Sequence, residues 1–427
     1  MTETPKTAPG AALSGLRVLD MTRILAGPWA TQILADMGAE VIKIERPGVG
    51  DDTRSWGPPN VTDQQGRDRG AAYFHSANRS KKSVTVDMVR PEGQRVLKAL
   101  AGRCDVVIEN FKVGGLAKYG LDYASIEAIK PDIVYCSITG FGQTGPYANR
   151  AGYDFLIQAM GGLMSVTGQA DGTPGAEPIK VGVALTDVLT GLYAVIGILS
   201  ALRHRDATGE GQHIDMSLLD VQVATLANQA MNFLATGTSP GRLGNAHPSI
   251  VPYQAFAASD GHVILAVGND GQFARFCEAA GAPGLATDER FATNPGRVRH
   301  RDVLIPILQG LMSGRSMDDW ITTLNAANVP VGPINSIERV FADPHVRFRG
   351  LQTYPTTPDG DALVGVGSPL KLSRTPAVAP LAAPDLGADT GAVLSRLLDP
   401  STFDLEALMA DGTIGDTRAK PKAGGTP

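Results

Sequence analysis

The chain has 427 residues, 43% of them hydrophobic and 19% charged, with a net charge of −5. That is an ordinary globular composition, long enough for two domains. The acidic balance argues against nucleic acid or an anionic membrane as the main partner, because both reward clustered cations. Cys104, Cys136 and Cys277 fit no zinc or redox spacing, and three is a poor number for a disulfide framework. No metal and a reducing cytoplasm are therefore expected. The N-terminal residues show neither a long apolar run nor an Arg-rich amphipathic pattern, so no targeting segment is expected there.

Residues 16–21 read as a short buried strand. Gly27-Pro28 then opens a helix, with Pro at a favoured first-turn position. Trp29, Ile33, Leu34 and Met37 recur at helical spacing until Gly38 stops the run. Glu40–Glu45 is a second strand, and strand, helix and strand within about 30 residues make a βαβ unit. Further strands fall at 83–86, 105–109 and 133–138, with helices at 91–100 and 123–129 between them. This alternation predicts an α/β fold with a mostly parallel, doubly wound sheet. The longest apolar stretch, 181–202, is interrupted by Asp187, Thr and Gly, so it reads as a core helix with a lead-in strand rather than a membrane span.

A helical stretch is expected from Met216 to about 234, and the Gly/Pro/Ser-rich run at 236–241 reads as a linker. Past it the pattern changes to a β-hairpin around Ser259-Asp-Gly261, then helices near 271–280, 302–312 and 317–328. The predicted organisation is a large domain at 13–225 with a C-terminal return at 384–414, and a small α+β domain at 246–330. Linkers occupy 226–245 and 331–383. The ends, 1–12 and 415–427, read as flexible tails.

Gly140-Phe-Gly-Gln-Thr-Gly145 matches the dinucleotide fingerprint and follows a strand, which raises a nicotinamide dehydrogenase as a rival. Pro146-Tyr-Ala-Asn149 follows instead of a helix, and the first βα turn carries Ala26-Gly-Pro28. The glycines fit a tight loop better. Asp187 stands between two apolar runs at a helix start. As an N-cap, Thr186 or Asp187 accepts backbone amides; as a functional group, Asp187 is a carboxylate aimed into a cleft and kept ionised by the helix terminus. Basic residues gather in the turns of the first block: Arg46 after the second strand, Arg79, Lys81 and Lys82 before the third, and Lys112 after the fourth. They suit a phosphate-bearing ligand at the strand ends, or a solvated charged face.

Several stretches together resemble the class III CoA transferases: Gly15-Leu-Arg-Val-Leu-Asp20, Leu25-Ala-Gly-Pro28, Gly38 to Pro47, Glu109-Asn-Phe111, Gly140 to Pro146, and Thr186-Asp187 before Gly191. Within that family the dicarboxylate type, exchanging CoA between succinyl-CoA and glutarate, is suggested by Asp51 to Pro59, His247 to Phe256, Gly268 to Phe273 and Val331 to Ser336. The resemblance implies a Rossmann-like large domain, a small domain and an interlocked homodimer. It implies CoA as co-substrate and Asp187 as the acid that forms an aspartyl anhydride and then an aspartyl-CoA thioester. By matching positions, CoA is expected to contact Leu25, Ala26, Arg46, Val86, Asn110, Phe111, Lys112, Lys118 and the run Ala151, Gly152, Tyr153, Asp154. Val89 stands where formyl-CoA transferase has a CoA-contacting lysine. Gly244 to Pro248 replaces the glycine-rich lid of the oxalate enzymes, which argues against oxalate as acceptor.

The same fold hosts α-methylacyl-CoA racemases, whose Gly-His-Asp motif reads Gly152-Tyr-Asp154 here. A phenol with an ordinary pKa of about 10 is a poor base for an α-proton. For the transferase, oxyanion stabilisation is expected from backbone amides near Gly140 and Gly142. A distal carboxylate on the substrate requires a cation, and Arg23, Arg54 and His247 are the candidates.

Overall fold

The computed structural model describes residues 10–415. The tails expected to be flexible fall mostly outside that range. The chain divides into two units, one of residues 10–162, 182–227 and 345–415, the other of 163–181 and 228–344.

The first unit is built on strands β1 (Arg17–Asp20), β2 (Glu40–Glu45), β3 (Lys82–Val86), β4 (Val106–Glu109), β5 (Val134–Thr139) and β6 (Gln212–Ser217). They lie in the order β3-β2-β1-β4-β5-β6, all parallel, with Ile414–Gly415 antiparallel on the outer edge of β3. The strand order reverses between β1 and β4, which opens a crevice at their C-terminal ends.

Alternate residues feed the two faces, as the two-residue period of a strand requires. Val18, Val41, Val106 and Ile108 pack under helices α1 (Ala26–Asp36) and α5 (Leu185–Thr208) with Ala30, Leu34, Ala194 and Ile198. Leu19, Ile42, Val84 and Val107 face the other way, against Val96, Leu97 and Leu100 of helix α3 (Pro91–Ala101). Val393, Leu394 and Leu408, from near the C-terminus, complete that second core. Each fully buried Val, Leu or Ile contributes about 1.5–3 kcal/mol. The expected core helix at 187–202 is α5, which is long and apolar enough to cross a membrane but buries Ala194, Val195, Ile198, Ala201 and Leu202 beneath the sheet. Gly191 allows that packing: a Cβ there would lie 2.8 Å from the Ala26 carbonyl oxygen and 3.1 Å from the Trp29 ring.

Two sequence readings change. The stretch expected to be helical from Met216 begins instead with strand β6, and its helices are Leu218–Ala224 and Asn228–Thr236. The 331–383 stretch, expected to be extended, carries the short helices Ile337–Ala342 and Pro344–Phe348.

The second unit has an antiparallel three-stranded sheet. His262–Ala266 lies between Tyr253–Ala257 and Val331–Pro333. Helices Asp270–Ala279, Arg301–Met312 and Met317–Ala326 cover a core of Phe256, Phe273, Phe276, Leu304, Leu308 and Trp320.

Candidate active site

Asp187 lies in the first turn of α5. Neither it nor Thr186 caps the helix, contrary to the local reading. Ala184 occupies the cap position without a side-chain bond. The capping carboxylate comes from 33 residues away. Asp154, in the first turn of α4 (Asp154–Met160), accepts the Thr186 amide at 2.8 Å and the Asp187 amide at 3.2 Å through Oδ1. Its Oδ2 accepts the Gln158 side-chain amide at 2.7 Å. The Thr186 hydroxyl donates to buried Gln222 at 2.6 Å. Three side chains thus fix the entry of α5, while the Asp187 carboxylate itself has no hydrogen-bond partner among the described residues.

The electrostatics follow. Burial first, and the negative charge of Asp154 second, raise the Asp187 carboxyl from 3.8 to about 7. The helix terminus was expected to keep it ionised despite burial; desolvation outweighs that contribution. Tyr73, in helix α2 (Ala72–Ala77), senses the same charges. Burial, then Asp187, Asp154 and Asp51, push its phenol above the ordinary value. Its ring meets Trp56 edge-on, with centroids 5.0 Å apart. No periodic signal marked either aromatic in the sequence.

The crevice at the β1 and β4 ends is stitched together. Asn110 Oδ1 accepts the Arg23 amide at 3.0 Å, and Asn110 Nδ2 donates to the Arg23 carbonyl at 2.7 Å. Ile24 follows with φ +72°, a left-handed conformation that costs a β-branched residue on the order of 1–3 kcal/mol. Asp51 Oδ1 accepts the Ile24 amide at 3.3 Å, and Asp51 Oδ2 pairs with fully buried Lys43 at 2.8 Å. Lys81 and Asp20 form a second fully buried pair. These charges hold the strained turn that leads into Leu25 and Ala26. Beyond β4, Glu109 Oε2 accepts the Phe111 amide at 2.7 Å. Burial lifts the Glu109 carboxyl to about 7 against that bond and one from Ser137. A cavity of about 310 Å³ opens beside this turn, lined in part by Glu109, Lys112 and His213; Asp187 is not in its wall.

The residues expected to contact CoA fall at or after the C-terminal ends of several different strands. Leu25 and Ala26 start α1, Arg46 is exposed after β2, and Asn110, Phe111 and Lys112 follow β4. Lys118 is exposed with its ammonium 4.7 Å from the centre of the Tyr119 ring. Val86 is buried in the core at the end of β3. Ala151, Gly152 and Tyr153 lead into Asp154, and Tyr153 is 69% exposed.

The expected oxyanion loop is already occupied in part. The Gly142 amide donates to Thr139 Oγ1 at 2.9 Å, and the Gln143 amide donates to Asp215. Gly140 instead permits a backbone crossing, since a Cβ there would lie 2.6 Å from Gly152 Cα. Gly142 and Gly145 have positive φ, and helix α4 does not begin until Asp154, so this is a turn and not a dinucleotide-binding helix start.

Of the expected cations, Arg54 is bound by both oxygens of Glu45 at 2.6 and 2.7 Å and stacks on Phe74. Arg23 pairs with Asp52 at 3.0 Å. His247 belongs to the second unit, where its Nδ1 accepts the Ser249 amide at 3.0 Å and its ring meets Tyr253. Among the described residues, no group of His, Cys, Asp and Glu has the arrangement of a metal site.

The profile of CoA-transferase family III matches residues 13–390. A succinate–glutarate CoA-transferase of Agrobacterium fabrum is 51% identical over 397 residues, covering 93% of this chain and 98% of its own. The human succinyl-CoA:glutarate CoA-transferase is 42% identical over 402 residues, covering 94% of this chain and 90% of its own. A crystal structure of a CAIB/BAIF family protein from Brucella suis superposes with a TM-score of 0.80 at 50% identity, covering 91% of this chain and all of that one. With this sheet order, a half-buried acid opening α5 and matches over nearly the whole length, the chain belongs to CoA-transferase family III and is a class III CoA transferase.

Proposed function

We propose that the enzyme moves CoA from succinyl-CoA to glutarate or a closely related dicarboxylate, with Asp187 as the nucleophile. The observation that carries this reading is the Asp187 carboxylate: half-buried, without a hydrogen-bond partner among the described residues, and raised to about 7 at a helix start held by Asp154. The names of the 51% and 42% identical relatives support the substrate pair.

In this mechanism an Asp187 oxygen attacks the thioester carbonyl. A C–O bond forms, the C–S bond breaks, and CoA thiolate leaves an aspartyl anhydride. The thiolate then attacks the Asp187 carbonyl, which forms an aspartyl thioester and releases the donor carboxylate. The acceptor carboxylate attacks that thioester, giving a second anhydride and thiolate. Attack of thiolate on the acceptor acyl carbon gives the new acyl-CoA and restores the Asp187 carboxylate. Each step exchanges one activated acyl for another, so no external energy source or net proton is required. A raised pKa makes the carboxylate a stronger nucleophile, and positioning supplies the remainder, up to roughly 7–11 kcal/mol for well-held reactants. Asp154 aligns the backbone that carries Asp187, and the phenol of Tyr73 faces the same charge.

The nucleotide end of CoA is assigned to the crevice at the β1 and β4 ends, with Leu25, Ala26, Arg46, Asn110, Phe111, Lys112 and Lys118 as contacts. A homodimer is part of the proposal. Phe155, Leu156, Val183, Tyr193, Ile196 and Val223 are exposed on the first unit, an amount of apolar surface that a second copy would cover. Three buried free thiols support a reducing compartment, the cytoplasm.

Succinyl-CoA incubated with glutarate should yield glutaryl-CoA and succinate in equal amounts by chromatography. Exchange of an α-proton without transfer to a second acid would refute the proposal in favour of racemase chemistry.

A further inference from the structure

A dicarboxylate substrate carries one carboxylate that does not react. In the first unit, several of the cations are already committed. Arg54 is clamped by Glu45, Arg79 by Asp36, Lys43 by Asp51 and Lys81 by Asp20. Arg23 is engaged by Asp52.

Arg150 differs. It is exposed and pairs with no carboxylate among the described residues. Its guanidinium is nonetheless held in orientation, lying 4.4 Å from the centre of the Tyr147 ring and 5.3 Å from that of Phe141. Those two rings brace each other edge-on at 5.6 Å. Such a stack orients the planar fork and leaves its N–H edge free to take a carboxylate in two parallel hydrogen bonds.

Placement is set by the backbone. The crossing of Gly140 over Gly152 fixes the segment that carries Arg150. Four residues after Arg150 comes Asp154, which binds the Asp187 amide. Four residues of chain span at most roughly 14 Å. Arg150 therefore lies on the segment that leads into the carboxylate capping the Asp187 helix, whereas the cations assigned to CoA phosphates, Arg46, Lys112 and Lys118, follow other strands.

We infer that Arg150 is a specificity residue that binds the distal carboxylate of the dicarboxylate substrate, both as succinyl-CoA and as the free acceptor acid. The inference rests on the proposed transfer between dicarboxylates and assigns the group that selects them.

The test compares Arg150→Met and Arg150→Lys with wild type on paired substrates: succinyl-CoA against acetyl-CoA as donor, and glutarate against pentanoate as acceptor. Arg150→Met should raise KM for glutarate and lower kcat/KM for succinyl-CoA about 10- to 100-fold. KM for acetyl-CoA and for pentanoate should stay within about twofold, and Arg150→Lys should recover part of the loss. Ratios measured within one variant do not depend on how much of it is folded. An equal loss on both members of each pair would mean that Arg150 serves CoA or the fold, and would overturn the inference. So would no loss at all. A wild-type enzyme with no preference for dicarboxylates would refute the functional reading and this inference together; a preference that survives in Arg150→Met would refute the inference alone.

Discussion

Asp187→Asn separates catalysis from stability, and the two should move in opposite directions. An asparagine keeps the shape and lacks the charge. Transfer should fall by at least about a thousandfold, because no nucleophile remains. Stability should rise at alkaline pH. In the unfolded chain the Asp187 carboxyl titrates at its ordinary 3.8, and in the folded chain near 7. Between these values the folded state holds a proton that the unfolded state has lost, so stability declines as pH rises from about 4 through 7 and then levels. The distance from 3.8 to about 7, at about 1.4 kcal/mol per pH unit, places the full penalty at roughly 4 kcal/mol as an upper value. Asparagine removes it. Urea unfolding of both proteins at pH 5 and pH 8 is the assay. The advantage of Asp187→Asn should be small at pH 5 and should grow by about 2–4 kcal/mol at pH 8. An advantage that does not change with pH, or a variant less stable at pH 8, would refute the claim that Asp187 is ionised against its surroundings.

Other consequences are equally direct. The kcat/KM of wild type should rise with an apparent pKa near 7, as Asp187 loses its proton. Asp154→Asn keeps an acceptor for the two amides but removes the neighbouring charge, so this limb should move to lower pH; Glu109→Gln should leave it in place, which a pH–rate profile of each variant checks. Lys43→Met leaves Asp51 buried and uncompensated, and should destabilise by about 3–5 kcal/mol in chemical denaturation. Gly191→Ala forces a methyl against the Ala26 carbonyl, separating α1 from α5 at a cost of about 1–3 kcal/mol in the same measurement.

Much of the sheet could be read from the sequence because its strands are buried on both sides. Val18-Leu19, Val41-Ile42 and Val106 to Ile108 are continuous apolar runs, bounded by helices with caps and stops. β6 escaped because it is an edge strand carrying Gln212, His213 and Asp215, which erase the apolar signal. Residues 163–181 group with the second unit although they precede α5; no local pattern encodes such a return.

The site divides in the same way. Asp187 stood out as an acid between apolar runs, and the glycines of 140–145 as a turn. The cap from Asp154 and the clamp of Glu45 on Arg54 are long-range contacts that periodicity does not carry. Burial reversed the expected direction of the Asp187 pKa, since the sequence shows the helix terminus but not the extent of desolvation. Arg54 looked available because its partner lies nine residues earlier, at the end of β2.

The central claim is that the acyl group passes through residue 187. Enzyme mixed with succinyl-CoA, quenched and digested, can be weighed peptide by peptide. The peptide that carries Asp187 should gain the mass of an acyl or CoA adduct, and the Asp187→Asn protein should gain none there. An unmodified Asp187 peptide under active turnover, with the adduct found on another side chain, would contradict the account.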